Sequence, residues 1–293
     1  MNLSPLAALS PLLACAVAHQ PVSSTSIPLL IRCDDIGMCH AANMACKEVA
    51  ESGIPFSASV MATCPWYTEA AEILASHPNI SVGVHLTLNA EWKGYRWGPV
   101  LGRTAVPSLV DSLGSFFHSR EALMANHPEP DEVERELRAQ IQRAMSAGLK
   151  PEYVDYHMDA AVGTPELRAI VEKLAADFGL GMSLYFGERD VVGLYDSPPT
   201  QKTAALLAIT RSLRPEVRQL VVFHIGYETQ EMDALVDLNP FGPREMSKNR
   251  NGERLALLSS EFRNALKQKN VTLITYRDLL RTDSLSSMKR PAE

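Results

Sequence analysis

From residue 28 onward the chain alternates short runs rich in β-branched residues with longer stretches whose apolar positions recur every three or four residues. That is the pattern of strands joined by amphipathic crossover helices over a parallel sheet. Seven strands are predicted near residues 28–33, 57–61, 80–88, 152–157, 182–186, 219–225 and 271–274, and helices near 40–52, 68–76, 131–148, 164–178, 201–213 and 251–269. Two helices carry clear signals. Thr164 and Pro165 supply an N-cap and a first-turn proline, Leu167, Ile170, Val171, Leu174 and Phe178 form one apolar face, and Gly179 follows the end. In 131–148, Val133, Leu137, Ile141 and Met145 repeat at intervals of four. The fold class is α/β. Periodicity leaves open whether the strands close into an irregular (β/α) barrel or stay open as a doubly wound sheet, but in both cases ligands gather where the carboxyl ends of the strands meet their following loops.

Those strand ends are chemically unusual. The first closes in Cys33-Asp34-Asp35-Ile36-Gly37, two adjacent acids after an apolar run, and a buried carboxylate needs a cation or a proton to share. In the third, strict alternation puts Val82, Val84, Leu86 and Leu88 on one face and Gly83, His85 and Thr87 on the other. The fourth places Asp155, His157 and Asp159 on a single polar stripe, and the sixth delivers His224. Acids or histidines thus end four strands at the edge where such folds build sites. Two imidazoles and a carboxylate suit zinc or another transition metal, and tolerate magnesium when water completes the shell. Trp66, Trp92 and Trp97 follow strands two and three, and the long 89–126 connection, which also holds Arg96, reads as a sugar-binding loop. Packing of the loop is the plainer account of the same rings.

Composition narrows the partner. With 46% hydrophobic and 21% charged residues the chain can build a large core, and a net charge of -6 argues against nucleic acid. No stretch is long enough to span a bilayer. Residues 1–26 read as a leader: Leu6 to Ala18 is a short apolar run, Ala16-Val17-Ala18 suits a signal peptidase, and Leu12-Leu13-Ala14-Cys15 resembles a lipidation box, so export, with a lipid anchor at Cys15 as one form of it, is expected in preference to a cytoplasmic location. Residues 27–283 are expected to form a single catalytic domain, followed by a flexible tail over 284–293. Cys33, Cys39, Cys46 and Cys64 read first as small buried hydrophobes and, if the chain is exported, as candidates for a disulfide. The sequence leaves a homodimer open.

These motifs, in this order, resemble the YdjC/ChbG family of carbohydrate deacetylases over roughly residues 28–280. Asp34-Asp35-Ile36-Gly37 is similar to the family's DDFG, Ser59-Val60-Met61 to its second strand, Gly83-Val84-His85-Leu86 to GxHL, and Asp155-Tyr156-His157 to DxH. Val106-Pro107-Ser108-Leu109-Val110-Asp111, Gly114-Ser115-Phe116 and Glu136-Leu137-Arg138-Ala139-Gln140 resemble its middle segment. The resemblance implies a seven-stranded (β/α) barrel, a divalent ion such as magnesium or zinc, and hydrolysis of N-acetyl groups on small oligosaccharides. It implies Asp35, His85 and His157 as ligands, Asp34 as general base, and His224 as the histidine near the last strands. The sequence departs from the family at Ile36, at Met158 and Asp159 after DxH, and at His224-Ile225-Gly226, where the family has His-Pro-Gly. Two rival readings remain at this level. His157-Met158-Asp159 with His224 copies the HxD…H spacing of iron(II) oxygenases, whose antiparallel folds do not match this alternation, and the tryptophans would suit an exported sugar-binding protein without activity.

Overall fold

The computed structural model describes residues 26–240 and 242–291. The leader with Ala16-Val17-Ala18 and Cys15 lies outside them, apart from Ser26. In chain order the regular elements are β1 (Ile27–Ile36), α1 (His40–Glu51), β2 (Ser57–Val60), α2 (Tyr67–Ser76), β3 (Ser81–Leu86), β4 (Trp92–Lys93), α3 (Arg120–Ala125), α4 (Pro130–Ser146), β5 (Tyr153–Tyr156), α5 (Pro165–Phe178), β6 (Gly181–Met182), β7 (Arg189–Asp190), α6 (Lys202–Ser212), β8 (Gln219–Phe223), α7 (Gln230–Asp233), β9 (Val236–Asp237), α8 (Met246–Leu258), α9 (Ser260–Gln268), β10 (Val271–Ile274) and α10 (Tyr276–Asp283).

Seven parallel strands run in the order β6-β5-β3-β2-β1-β8-β7, and β10 pairs with the first half of β1. The edge strands β6 and β7 do not pair with each other among the described residues, so the sheet is an incomplete, curled barrel. Alternation sorts its side chains. Leu29, Ile31 and Cys33 of β1 face the large helix-covered core, whereas Leu30 joins Tyr153, Phe186, Leu220, Tyr276 and Leu279 in a smaller cluster inside the curl. That cluster is an aromatic plug. The Tyr153 and Tyr276 rings stack at 4.1 Å, and a Cβ on Gly83 would sit 2.3 Å from the Tyr153 ring, which accounts for glycine there. With the lower end filled, the inward residues of the upper layer meet at the carboxyl ends.

All seven expected strands are present and parallel. The fifth is shorter than expected, only Gly181–Met182, because Leu184 turns at φ 70° and the Glu188 carboxylate accepts the N–H groups of Leu184 (2.5 Å) and Phe186 (2.8 Å). The expected 251–269 helix is two. Ser259, with extended backbone, ends α8 and caps α9 by accepting the Phe262 N–H at 3.1 Å. The signals on α5 hold as read: Thr164 accepts the Leu167 N–H and Gly179 takes the left-handed conformation. The cysteines at 33, 39, 46 and 64 are buried free thiols, and burial raises each thiol's pKa. No described helix is long and apolar enough to cross a membrane.

Candidate active site

In a regular strand the adjacent residues Asp34 and Asp35 would point to opposite faces. Here they do not. Between Cys33 and Ile36 the pairing with β2 slips by one residue and Asp35 takes φ 62°, a bulge that turns both carboxylates into the same cavity. A left-handed aspartate costs free energy, of order 1–3 kcal/mol, and such conformations persist at sites where placement of the side chain matters. The chain turns again past β5, where Met158 (φ 49°) and Asp159 (φ 55°) end the strand and leave His157 at the mouth. Register does the remainder: His85 of β3 lies directly across from Asp155 of β5.

The result is a tight triangle. Asp35 Oδ1 lies 3.4 Å from His85 Nε2 and 3.1 Å from His157 Nδ1, and those two nitrogens are 3.3 Å apart. Ligands held about 2.0–2.1 Å from one ion stand roughly 3.0–3.4 Å from each other, so the three atoms are spaced as a shared shell requires. Asp35 Oδ1 makes no directed hydrogen bond of its own. Each imidazole is held from behind by a carboxylate: His85 Nδ1 lies 3.1 Å from Asp155 Oδ1, and His157 Nε2 lies 2.9 Å from Glu91 Oε2. This is how metal-binding histidines are oriented. The other Asp35 oxygen accepts Arg250 Nη2 at 2.6 Å.

Charge balance supports the same reading. Four carboxylates, Asp34, Asp35, Glu91 and Asp155, are buried here with two guanidiniums, Arg32 and Arg250, an excess of two negative charges that a divalent cation would neutralise. Without an ion, protons answer the excess. Burial disfavours the imidazolium of His157, but Glu91 and Asp35 outweigh it and push its pKa up to about 9; burial likewise opposes His85, and Asp155 and Asp34 carry it well above the usual histidine range. Burial works against the Asp35 and Asp34 anions too, yet Arg250 and Arg32 hold them below the ordinary carboxylate value.

Asp34 stands beside the triangle with both oxygens on Arg32, Nε at 2.6 Å and Nη2 at 2.7 Å. Arg32 also lies 2.9 Å from Asp155 and donates to Ser183 Oγ at 2.6 Å, so one guanidinium fixes two carboxylates. His224 follows the end of β8, beside Asp34 on the neighbouring β1, and stands edge-on to the Tyr195 ring at 5.0 Å; its Nδ1 has no partner, and burial lowers its pKa below 6.5. The cavity enclosing these groups measures about 520 Å³, within the range of small-molecule sites.

The remaining expected site residues divide. Trp92, buried and lying under the Arg250 guanidinium, and Asp159 line the cavity. Trp66, Trp97 and Arg96 do not. Trp66 packs against His40 at 5.1 Å, Trp97 is buried, donates Nε1 to the Asn89 carbonyl and stands edge-on to the His157 ring at 6.1 Å, and Arg96 pairs with Asp111 and the Phe116 carbonyl. Asp159 joins no metal-competent group with His157 and His224 among the described residues, and the parallel α/β fold leaves the oxygenase reading without support. Glu91, Arg32 and Arg250 went unseen in the sequence, since each acts across 66 to 215 residues or from within a strand.

A family profile described as YdjC-like protein matches residues 28–268. A carbohydrate deacetylase of Enterococcus faecalis is 26% identical over 263 residues, spanning 86% of this chain and 97% of the relative. A solved E. faecalis structure described as a candidate cellobiose-phosphate cleavage protein superposes with a TM-score of 0.72 at 23% identity, covering 87% of this chain and 99% of its own. The Bc1960 peptidoglycan N-acetylglucosamine deacetylase shares the fold at a TM-score of 0.52 and 11% identity, over 89% of this chain and 91% of that one. With the family profile covering most of its length and the barrel architecture shared, the chain belongs to the YdjC-like protein family.

Proposed function

We propose that this protein is a divalent-metal-dependent hydrolase that removes acetyl groups from N-acetylated sugars or small oligosaccharides. The single observation that carries the proposal is the convergence of Asp35 Oδ1, His85 Nε2 and His157 Nδ1, each imidazole backed by a buried carboxylate, in the wall of a sugar-sized cavity. The carbohydrate deacetylase of E. faecalis, similar over nearly its whole length, supports the acetyl reaction and the sugar class. The ion's identity, magnesium or zinc, follows from the donor set only as far as two nitrogens and one oxygen favour zinc.

The chemistry such an ion would supply when bound is acidification of water, whose pKa would fall to about 7, and polarisation of an acyl oxygen. The protein's own residues do the rest. Asp34, kept ionised by Arg32, accepts the proton of the attacking water. Amide cleavage expels an amine that must be protonated as it leaves, and His224, which lines the cavity beside Asp34, is the group we assign to that step. Its lowered pKa makes the ring neutral before reaction, so it relays the proton that Asp34 took from water, accepting it on one ring nitrogen and giving one to the amine from the other. Trp92, buried under Arg250, backs the cavity floor and holds that guanidinium against Asp35. Acetate release from N-acetylglucosamine oligomers, measured on metal-loaded and chelator-stripped protein with His85→Ala as control, tests the proposal. Release that depends on both metal and His85 is expected; sugar binding without any release would refute it.

A further inference from the structure

Behind the His224 wall lies an ion pair that the proposed reaction does not use. Lys202 of α6 and Glu253 of α8 are each 1% exposed, and their charged atoms meet at 3.0 Å. Burying such a pair is expensive, and an apolar pair of the same volume would stabilise the fold at least as well. What distinguishes this pair is where its remaining bonds go. Lys202 Nζ donates to the Leu194 carbonyl at 2.7 Å and the Tyr195 carbonyl at 2.8 Å, both in the segment that forms one side of the cavity. The second Glu253 oxygen accepts the backbone N–H of His224 at 2.6 Å, just past the end of β8. Close packing makes the contact: a Cβ on Gly252 would stand 2.6 Å from the Pro199 carbonyl, so α8 rests directly on the turn that leads into Lys202.

We infer that the Lys202–Glu253 pair is a positioning device that sets the His224 imidazole and the Tyr195 ring against each other at the reacting face of the cavity. Neither residue lines the cavity, so neither is catalytic. The lysine fixes the backbone of Tyr195, the glutamate fixes the backbone of His224, and the ion pair ties the two together beyond the last β7–β8 ladder bond, where Val191 N–H meets the Leu220 carbonyl. The His224 ring needs such help. Unlike His85 and His157 it has no carboxylate on a ring nitrogen, its Nδ1 has no partner, and its neighbour is the Tyr195 ring, which also lines the cavity. Both groups are therefore free to meet substrate, provided the backbone beneath them stays in place. In its effect on rate the inference rests on the acetyl-hydrolase reading; in its effect on the ring it does not.

The test compares wild type, Lys202→Met/Glu253→Leu, His224→Ala and the triple variant in the full chain. The double variant removes both charges together, which leaves no buried ion unpaired. It is expected to fold and to bind metal at wild-type stoichiometry, with a lower unfolding temperature because the Leu194 and Tyr195 carbonyls and the His224 N–H lose their partners. Misplacing His224 should lower kcat by about 10- to 100-fold. KM should stay within about twofold, because the loss falls on the reacting geometry rather than on uniform binding. In the His224→Ala background the same double change should cost little further, since its effect passes through that ring. Proton NMR of the imidazole signals, with the His224 resonance identified by its disappearance in His224→Ala, should show that resonance shifted in the double variant and those of His85 and His157 unmoved. Wild-type kcat in a folded double variant, losses that multiply in the triple variant, or an unmoved His224 resonance would each overturn the inference. If wild type releases no acetate, the hydrolase reading fails by itself and the NMR comparison decides the inference. Should the double variant not fold, Lys202→Gln, which keeps one donor in the same space, takes its place with the same expectations for rate and for the His224 resonance, and with a lower unfolding temperature because Glu253 loses its charge partner.

Discussion

The two walls of the cavity hold histidines in opposite ways. On the β3–β5 side, His85 and His157 are gripped through their side chains, each far nitrogen on a carboxylate, and their near nitrogens converge with Asp35 on a single point. On the β8 side, His224 is held through its backbone and its Nδ1 is left without a partner. A ring locked at both nitrogens suits permanent ligation, whereas a ring with a spare nitrogen suits proton transfer. The difference teaches a division of labour within one cavity: the two carboxylate-backed imidazoles are arranged as ion ligands, and His224, beside Asp34 on the neighbouring strand, is arranged to move a proton.

If proton transfer and ion binding fall to different groups, variants should separate rate from metal affinity. The largest separation is expected at Asp34 and His224: Asp34→Asn and His224→Ala should each lose about 10² to 10⁴ in kcat while metal content per chain stays at the wild-type value. Loss of metal in either variant, by elemental analysis, would merge the two roles into one. Glu91→Gln and Asp155→Asn should do the reverse, weakening metal affinity by about 10- to 100-fold in a chelator competition while metal-saturated protein keeps most of its rate.

Acidity sharpens the contrast in direction. Burial lowers the folded pKa of His224, so the unfolded chain binds its proton first, and stability from this residue is present above pH 6.5 and lost as pH falls through that value toward the folded pKa. His157 has the opposite sign in the metal-free chain: its stabilisation is complete below pH 6.5 and lost as pH rises through about 9. Denaturation of metal-free protein across pH 5 to 7 should therefore show a shallower acid-side loss in His224→Gln than in wild type, and an unchanged slope would remove the burial argument for that ring. The smallest effect is expected at Trp66, which lies off the cavity against His40; Trp66→Ala should alter kcat/KM by no more than about twofold.

Much of this was legible in the sequence because period two does the sorting. The same alternation that sends Ile31 and Cys33 to the helices sends Arg32 and Asp34 inward, and that of β3 and β5 delivers His85, Asp155 and His157. Asp35 was legible as chemistry but not as geometry, since strict alternation points it outward and only the bulge brings it back. Arg250 and Glu91 left no local signal: one lies on a helix 215 residues from Asp35, the other in a loop 66 residues from His157, and only folding makes them neighbours. The tryptophans divide: Trp92 reaches the cavity, Trp97 packs behind His157, and Trp66 lies away from both. A ring in a long loop reads as a sugar platform, but Trp97 spends its indole N–H on the Asn89 carbonyl and Arg96 its guanidinium on Asp111, which are the bonds of a loop being packed down.

The account depends on positions 35, 85 and 157 sharing one ion. Metal content per chain, measured by inductively coupled plasma mass spectrometry on wild type and on Asp35→Ala, His85→Ala and His157→Ala prepared identically, tests this most directly. The account predicts one divalent ion in wild type and loss of that ion in all three variants, each still folded by circular dichroism; full metal content in any of the three would contradict it.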